Sequence, residues 1–316
     1  MEAMAETFPE TETLPQTATL SGSPRAVGAS APIEPAFQRL APRYDVVLCD
    51  IWGVLHNGHV GAPAAADALQ RFRAAGGTVV LVSNAPRPWP EVVGILDSYD
   101  VPHDAYDAIV SSGEVTMALL REQPQARIHH LGPSRDVGLF AGLPNPFVGL
   151  EEAELIVCTG LIEDDHETPA AYDDRLDRAR ALRLPMICAN PDIVVERGGD
   201  LIWCAGALAE AYAERGGEVI WCGKPHASIY ERALATAAGR RGAPVDPSRV
   251  LAIGDALRTD LAGALRAGVD CLFVAAGIHA GELGLEQGGE IDPHALARLL
   301  ADGPGQPAAV TTRLAW

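Results

Sequence analysis

Four short segments carry side chains whose types and spacing suit phosphate chemistry. Asp50 ends an apolar run and opens Asp50-Ile-Trp-Gly-Val-Leu-His-Asn-Gly58, a turn-rich loop that would leave a carboxylate exposed for reaction. Ser83 and Asn84 end the run 78–82, offering a hydroxyl and an amide to phosphoryl oxygens. Lys224, in Gly223-Lys224-Pro225, is the only lysine of the chain; the other 23 basic residues are arginines. A compact ammonium at the end of an apolar strand reads as a point charge or an amine nucleophile. Asp255 and Asp260 follow the run 250–253, and paired carboxylates beside Asp50 would make a hard-oxygen site for Mg²⁺. Singly, each feature is also an ordinary turn or helix cap; a carboxylate in a first helical turn contributes less than about 1 kcal/mol.

These groups need a scaffold that brings strand ends together. Short β-branched runs alternate with Ala/Leu/Arg-rich segments. Strands are expected at 45–50, 78–82, 107–111, 218–222, 249–253 and 270–274, and helices at 63–75, 89–98, 113–122, 226–239 and 259–267. Such alternation predicts an α/β fold with a doubly wound parallel sheet, whose ligands bind beyond the carboxyl ends of the strands. All four segments are expected to follow strands of that one sheet. The stretch 124–200 has its own rhythm, with strands near 127–131, 154–158 and 185–188 and a helix at 170–183, and reads as an inserted α/β domain. The expected division is a disordered tail at 1–33, rich in Ala, Pro, Thr, Ser and Glu, a core from 34–123 and 201–316, and the insertion at 124–200.

Composition narrows the partners. A net charge of −18 without a Lys/Arg cluster argues against nucleic acid. No apolar run approaches 18 residues, which argues against a membrane span. The acidic tail has no apolar core of a signal peptide, so a cytoplasmic location is expected. Six cysteines without a C-x-x-C pair read as reduced, buried thiols.

The order Asp, Ser, Lys, Asp-x4-Asp over 40–123 and 200–285 resembles the haloacid dehalogenase superfamily. The Gly-Val-Leu-x-x-Gly continuation, Asn190-Pro191-Asp192, Gly223-Lys224-Pro225 and Gly-Asp-x3-Thr-Asp look like its class IIA phosphatases, the group of nitrophenyl-phosphatase and phosphoglycolate or pyridoxal-phosphate phosphatase relatives. That resemblance implies a Rossmann-like core with a C2-type α/β cap between the second and third motifs, for which the 141 positions between Ser83 and Lys224 leave room. It implies hydrolysis of small organic phosphate monoesters through an aspartyl-phosphate, with Asp50 as nucleophile, Ser83 and Asn84 holding a phosphoryl oxygen, and Lys224 neutralising charge. Mg²⁺ would be held by Asp50, the Trp52 carbonyl and Asp255, with Asp260 shaping the surroundings. Asn190, Asp192 and Arg197 would meet the leaving group, and association of copies through the cap is a further implication. A turn is the alternative for Asn190-Pro191-Asp192, and the run Glu163-Asp164-Asp165-His166-Glu167 is expected to be a solvated loop.

One position departs from the pattern. Class IIA phosphatases carry a second Asp two residues after the nucleophile, which protonates the leaving oxygen and then activates water; here that residue is Trp52. Indole cannot do this near pH 7, and such a loss costs roughly 10²–10⁴-fold. A hydrolase could persist with His56, Asp192 or His279 as stand-in, or with a leaving group needing no proton. The protein could instead bind a phosphorylated metabolite without turnover. Dehalogenation does not need the retained carboxylate site, and phosphonate cleavage needs a second lysine.

Overall fold

A computed structural model of the protein describes residues 31–34, 36–197, 200–285 and 289–316. In chain order come β1 (Val46–Cys49), α1 (Pro63–Ala74), β2 (Thr78–Ser83), α2 (Trp89–Ser98), β3 (Ala108–Ser111) and α3 (Ser112–Glu122). Next are β4 (Ile128–Leu131), β5 (Leu155–Cys158), α4 (Asp173–Ala181), β6 (Met186–Cys188), β7 (Val194–Arg197), β8 (Asp200–Trp203), α5 (Ala205–Glu214) and β9 (Val219–Trp221). The chain ends with α6 (Ala227–Arg241), β10 (Val250–Gly254), a wide turn (Leu257–Leu261) running into α7 (Ala262–Ala267), β11 (Asp270–Val274), α8 (Pro293–Ala301) and β12 (Ala309–Thr311).

The main sheet has the order β12-β11-β10-β1-β2-β3, parallel throughout. β1 is buried on both faces, so its sequence is continuously apolar rather than alternating. Val46 and Leu48 enter one core layer, with Leu120 of α3, Ile229 of α6 and Leu300 of α8. Val47 and Cys49 enter the other, with Leu69 and Phe72 of α1 and Leu96 of α2. Burying each of these large side chains contributes about 1.5–3 kcal/mol. Helices thus cover both faces, and the doubly wound expectation holds. Strand order reverses between β1 and β10, the crevice where such sheets bind ligands.

A second parallel sheet, β4-β5-β6-β9, carries its own core of Leu131, Ile156, Leu176, Leu208 and Tyr212. It contains β9, because Met186 and Cys188 of β6 pair with Val219 and Trp221. The expectation that all four motifs follow strands of one sheet is therefore corrected. Asp50, Ser83 and Asp255 leave the main sheet, whereas Lys224 arrives from the second one. The return to the main sheet lies beyond Trp221, not at residue 201, since α5 packs into the second core.

Smaller differences have local causes. The expected 170–183 helix begins as a tight 3-10 turn, Pro169–Tyr172, before α4, and 259–267 begins as the wide turn. The antiparallel hairpin β7–β8 had escaped notice because its strands are half-exposed and polar residues interrupt them. Most of the expected tail lies outside the described residues. Its end is ordered: Ile33 bridges Val310, and Val310 N–H donates to the Pro32 carbonyl at 2.9 Å. All six cysteines are free and buried. Among the described residues no helix is long and apolar enough to cross a membrane.

Candidate active site

Asp50 leaves β1 and is 8% exposed. Its Oδ1 accepts from Ile51 N–H at 2.8 Å and lies 2.6 Å from Lys224 Nζ. Among the described residues no hydrogen bond reaches Oδ2, so one carboxylate oxygen keeps its lone pairs for a ligand. Lys224 is 3% exposed and also touches Asp260 Oδ1 at 2.8 Å. Burial alone would lower the Lys224 pKa, but the Asp260 and Asp50 charges outweigh it and hold the ammonium well above its ordinary value. The cation stays charged where a phosphoryl group would need it.

Asp255 leaves β10, the neighbour of β1, and its Oδ2 accepts from Ile278 N–H at 2.7 Å. Two glycines make this approach possible. A Cβ at Gly53 or Gly277 would stand 2.0 Å from Asp255 Oδ2, and Gly53 also has φ +84°, which other residues rarely adopt. Asp50, Asp255 and Asp260 each offer an oxygen within 4.8 Å of the others. Burial, with Asp260 as the next cause, pushes Asp50 well above the usual carboxylate range and Asp255 up to about 7. Three buried carboxylates against one lysine leave negative charge uncompensated, which is what a divalent cation would balance. The donor set fits a hard cation, and no hydrogen bond among the described residues takes up the Trp52 carbonyl. Asp260 has both oxygens engaged, by Lys224 and by Ala256 N–H at 3.1 Å.

Ser83 is buried, and its Oγ accepts from Ala85 N–H at 3.1 Å, leaving its own hydroxyl proton to donate. Asn84 Oδ1 accepts from Lys224 N–H at 2.7 Å, while Nδ2 donates to the Lys224 carbonyl at 3.1 Å and to Asp192 Oδ1 at 2.9 Å. Both side-chain amide protons are used, so the Asn84 side chain clamps the lysine segment and the insertion to the main sheet. Asn190 and Asp192 line the same cleft as Asp50. They form a turn closed by Asp192 N–H to Asn190 Oδ1 at 3.2 Å.

Trp52 is half-buried, and its indole N–H donates to the Glu196 carbonyl of β7 at 3.0 Å. His56 stacks on Tyr99 with centroids 4.3 Å apart, accepts from Gly58 N–H at 3.1 Å, and is pushed by burial down to about 4. It is a neutral structural ring and no acid. His279 is committed to Glu282 Oε1 at 2.6 Å and to Leu257 N–H at 3.4 Å. Asp192 alone of the expected stand-ins keeps a carboxyl oxygen without a hydrogen bond among the described residues, and burial raises its pKa. The acidic run is not simply solvated: Asp164 is buried and paired with Arg135 and Arg197. Arg135, Glu196 and Gly277 were not among the expected site residues: Arg135 and Gly277 stand in no motif, and Glu196 contributes through its backbone carbonyl, which residue type does not report.

Residues 47–142 match the family model described as haloacid dehalogenase-like hydrolase, and 221–302 match a second, described as HAD-hydrolase-like. A solved hydrolase of the haloacid dehalogenase-like family from Brucella suis 1330 is 45% identical, with TM-score 0.79, over 89% of this chain and 100% of its own. The 4-nitrophenylphosphatase of Thermotoga maritima is 22% identical, with TM-score 0.63, over 87% of this chain and 96% of its own. The glycerol phosphate phosphatase of Mycobacterium tuberculosis, solved with calcium, is 22% identical, with TM-score 0.57, over 85% and 77%. No curated protein matches the chain.

Proposed function

We propose that this chain, which belongs to the haloacid dehalogenase-like hydrolases and to their class IIA branch, hydrolyses small organic phosphate monoesters through an aspartyl-phosphate on Asp50. The observation that carries this reading is the contact of Lys224 Nζ with Asp50 Oδ1, 2.6 Å, above a cluster of three carboxylates at the strand-order reversal. The phosphatase names of two structural neighbours agree with it.

In this reading Asp50 Oδ2 attacks phosphorus, the bond from phosphorus to the ester oxygen breaks, and the alcohol or phenol departs. Water then attacks phosphorus of the aspartyl-phosphate, releasing phosphate and restoring the Asp50 carboxylate. Lys224 offsets charge on Asp50 and the phosphoryl group, and the Ser83 hydroxyl donates to a phosphoryl oxygen. Phosphoryl transfer asks mainly for such positioning and neutralisation. Asp50, Asp255 and the Trp52 carbonyl would hold Mg²⁺, which supplies the remaining positive charge when bound. Asp192 is the carboxyl left to exchange protons with the leaving oxygen or water; ester oxygens that leave as stable anions need none.

The test is a panel of phosphate monoesters assayed with and without Mg²⁺, for the parent protein and Asp50→Asn. Turnover that needs both Mg²⁺ and Asp50 is expected; turnover that survives Asp50→Asn unchanged would refute the mechanism. Trp52 favours a second reading, a protein that binds a phosphorylated metabolite without turnover. That reading predicts metal and phosphate binding with no product. A cytoplasmic setting and association through the cap complete the proposal, the former supported by six free buried thiols.

A further inference from the structure

Three arginines reach the wall of the cleft from separate segments: Arg87 after β2, Arg135 after β4 and Arg197 at the end of β7. Each is tied to a carboxylate. Arg87 Nη2 lies 3.2 Å from Asp136 Oδ1, Arg135 Nη1 3.2 Å from Asp164 Oδ1, and Arg197 Nη2 3.3 Å from Asp164 Oδ2. The carboxylates are covered, with side chains 4% and 8% exposed, while the arginine side chains keep 24%, 46% and 36%. Half-buried Glu91 and exposed Asp165 also pair with Arg87 and Arg197 without lining the cleft, and the solvated Asp165 pair interacts weakly.

The cleft wall therefore presents three positive groups backed by two buried negative ones, in a chain of net charge −18. Buried Asp164 is a single charge met by two arginines, Arg135 and Arg197. A guanidinium has five N–H donors, so each keeps donors beyond its ion pair. Position sharpens the argument. Arg197 follows Glu196, whose carbonyl holds the Trp52 indole, and Trp52 is two residues from Asp50. That places the arginine wall on the leaving-group side of the phosphate site.

The geometry points to an anion subsite: the substrate's leaving group carries a second anionic group, a carboxylate or a second phosphoryl, received by Arg197 and Arg135 with Arg87 beside them. Planar guanidinium forks match both groups with paired hydrogen bonds. The inference rests on the phosphate-ester reading of the Asp50 site and specifies its substrate class.

The experiment measures affinity by calorimetry on the Asp50→Asn protein in Mg²⁺, with phenyl phosphate, 4-carboxyphenyl phosphate and 1,4-phenylene bisphosphate. At least one doubly anionic ligand should bind about tenfold or more tightly than phenyl phosphate, and which one identifies the group. Arg197→Gln should reduce that ratio to about twofold or less, and Arg197→Lys, which keeps a counter-charge for buried Asp164, should leave an intermediate ratio. Equal affinity for all three ligands, or a ratio indifferent to Arg197→Gln, would overturn the subsite. Turnover is not read here, so a parent protein that hydrolyses nothing would count against the proposed reaction alone.

Discussion

The Trp52 indole N–H and the Glu196 carbonyl, 3.0 Å apart, join the loop that follows β1 to the β7–β8 hairpin of the insertion. Where the class IIA pattern has a proton-transferring carboxylate, this chain has a fastening between the loop after β1 and the β7–β8 hairpin. A neutral hydrogen bond of this kind contributes about 1 kcal/mol. With Asn84 to Asp192 it makes a second tie holding the insertion over Asp50.

Turnover should consequently depend on the leaving group. Alkyl phosphates, whose alkoxides need a proton, should react slowly, and nitrophenyl phosphate should react much faster with a pre-steady-state burst as water attack lags. Trp52→Asp should raise alkyl-phosphate turnover roughly tenfold or more, less whatever the smaller side chain loses by leaving a void. Asp192→Asn should lower what alkyl activity the parent has. Fast, burst-free alkyl hydrolysis that is insensitive to Asp192→Asn would contradict this account.

Asp50→Asn should reduce turnover about 10⁴-fold or more while leaving the far-ultraviolet circular dichroism unchanged, since no other group is placed as nucleophile. Rapid-quench labelling with a ³²P ester should trap phosphate on the parent protein and none on the variant.

Metal affinity should vary with pH in a defined sense. The Asp255 carboxyl, pushed up to about 7 by burial and by Asp260, must lose its proton before it binds a cation. Mg²⁺ affinity should fall by about tenfold or more per unit below pH 7, with at least about one proton released on binding near pH 6, since Asp50, also raised, must lose its proton too. Because the folded pKa lies above the unfolded one, the contribution of protonated Asp255 to stability is lost as pH rises through 7. Mg²⁺ should therefore raise the melting temperature most above that pH. Asp255→Ala should weaken Mg²⁺ binding severely; unchanged affinity in a folded Asp255→Ala protein would assign Asp255 a capping role only.

Asn84→Ala strands the Lys224 N–H and carbonyl and one Asp192 oxygen. Each uncompensated buried group costs about 1–3 kcal/mol, so urea midpoints should fall. With Lys224 less well held, kcat should drop more than KM rises. A rise confined to KM would restore the phosphate-holding role expected from the sequence.

Much of this site was legible in the chain itself. Asp50, Ser83 and Asp255 are polar residues terminating continuously apolar runs, and a run buried on both faces ends at the sheet edge wherever it turns polar. The solitary lysine among 23 arginines marked Lys224 as well: its compact ammonium sits between Asp50 and Asp260. These are local properties, and periodicity and residue type report them.

Three matters were decided only by tertiary structure. β9 joined the second sheet because Met186 and Cys188 offered it parallel partners, a pairing between residues some thirty positions apart that no local pattern records. Asn84 became a clamp because its side-chain amide met Lys224, 140 residues away, and Asp192, which together take both of its side-chain amide protons. The arginine wall exists because buried Asp164 gathers Arg135, from the 3-10 turn Ser134–Phe140, and Arg197, from the end of β7. Side-chain type sets what a group can donate or accept, but long-range packing decides which partner satisfies it and which face is left for a ligand.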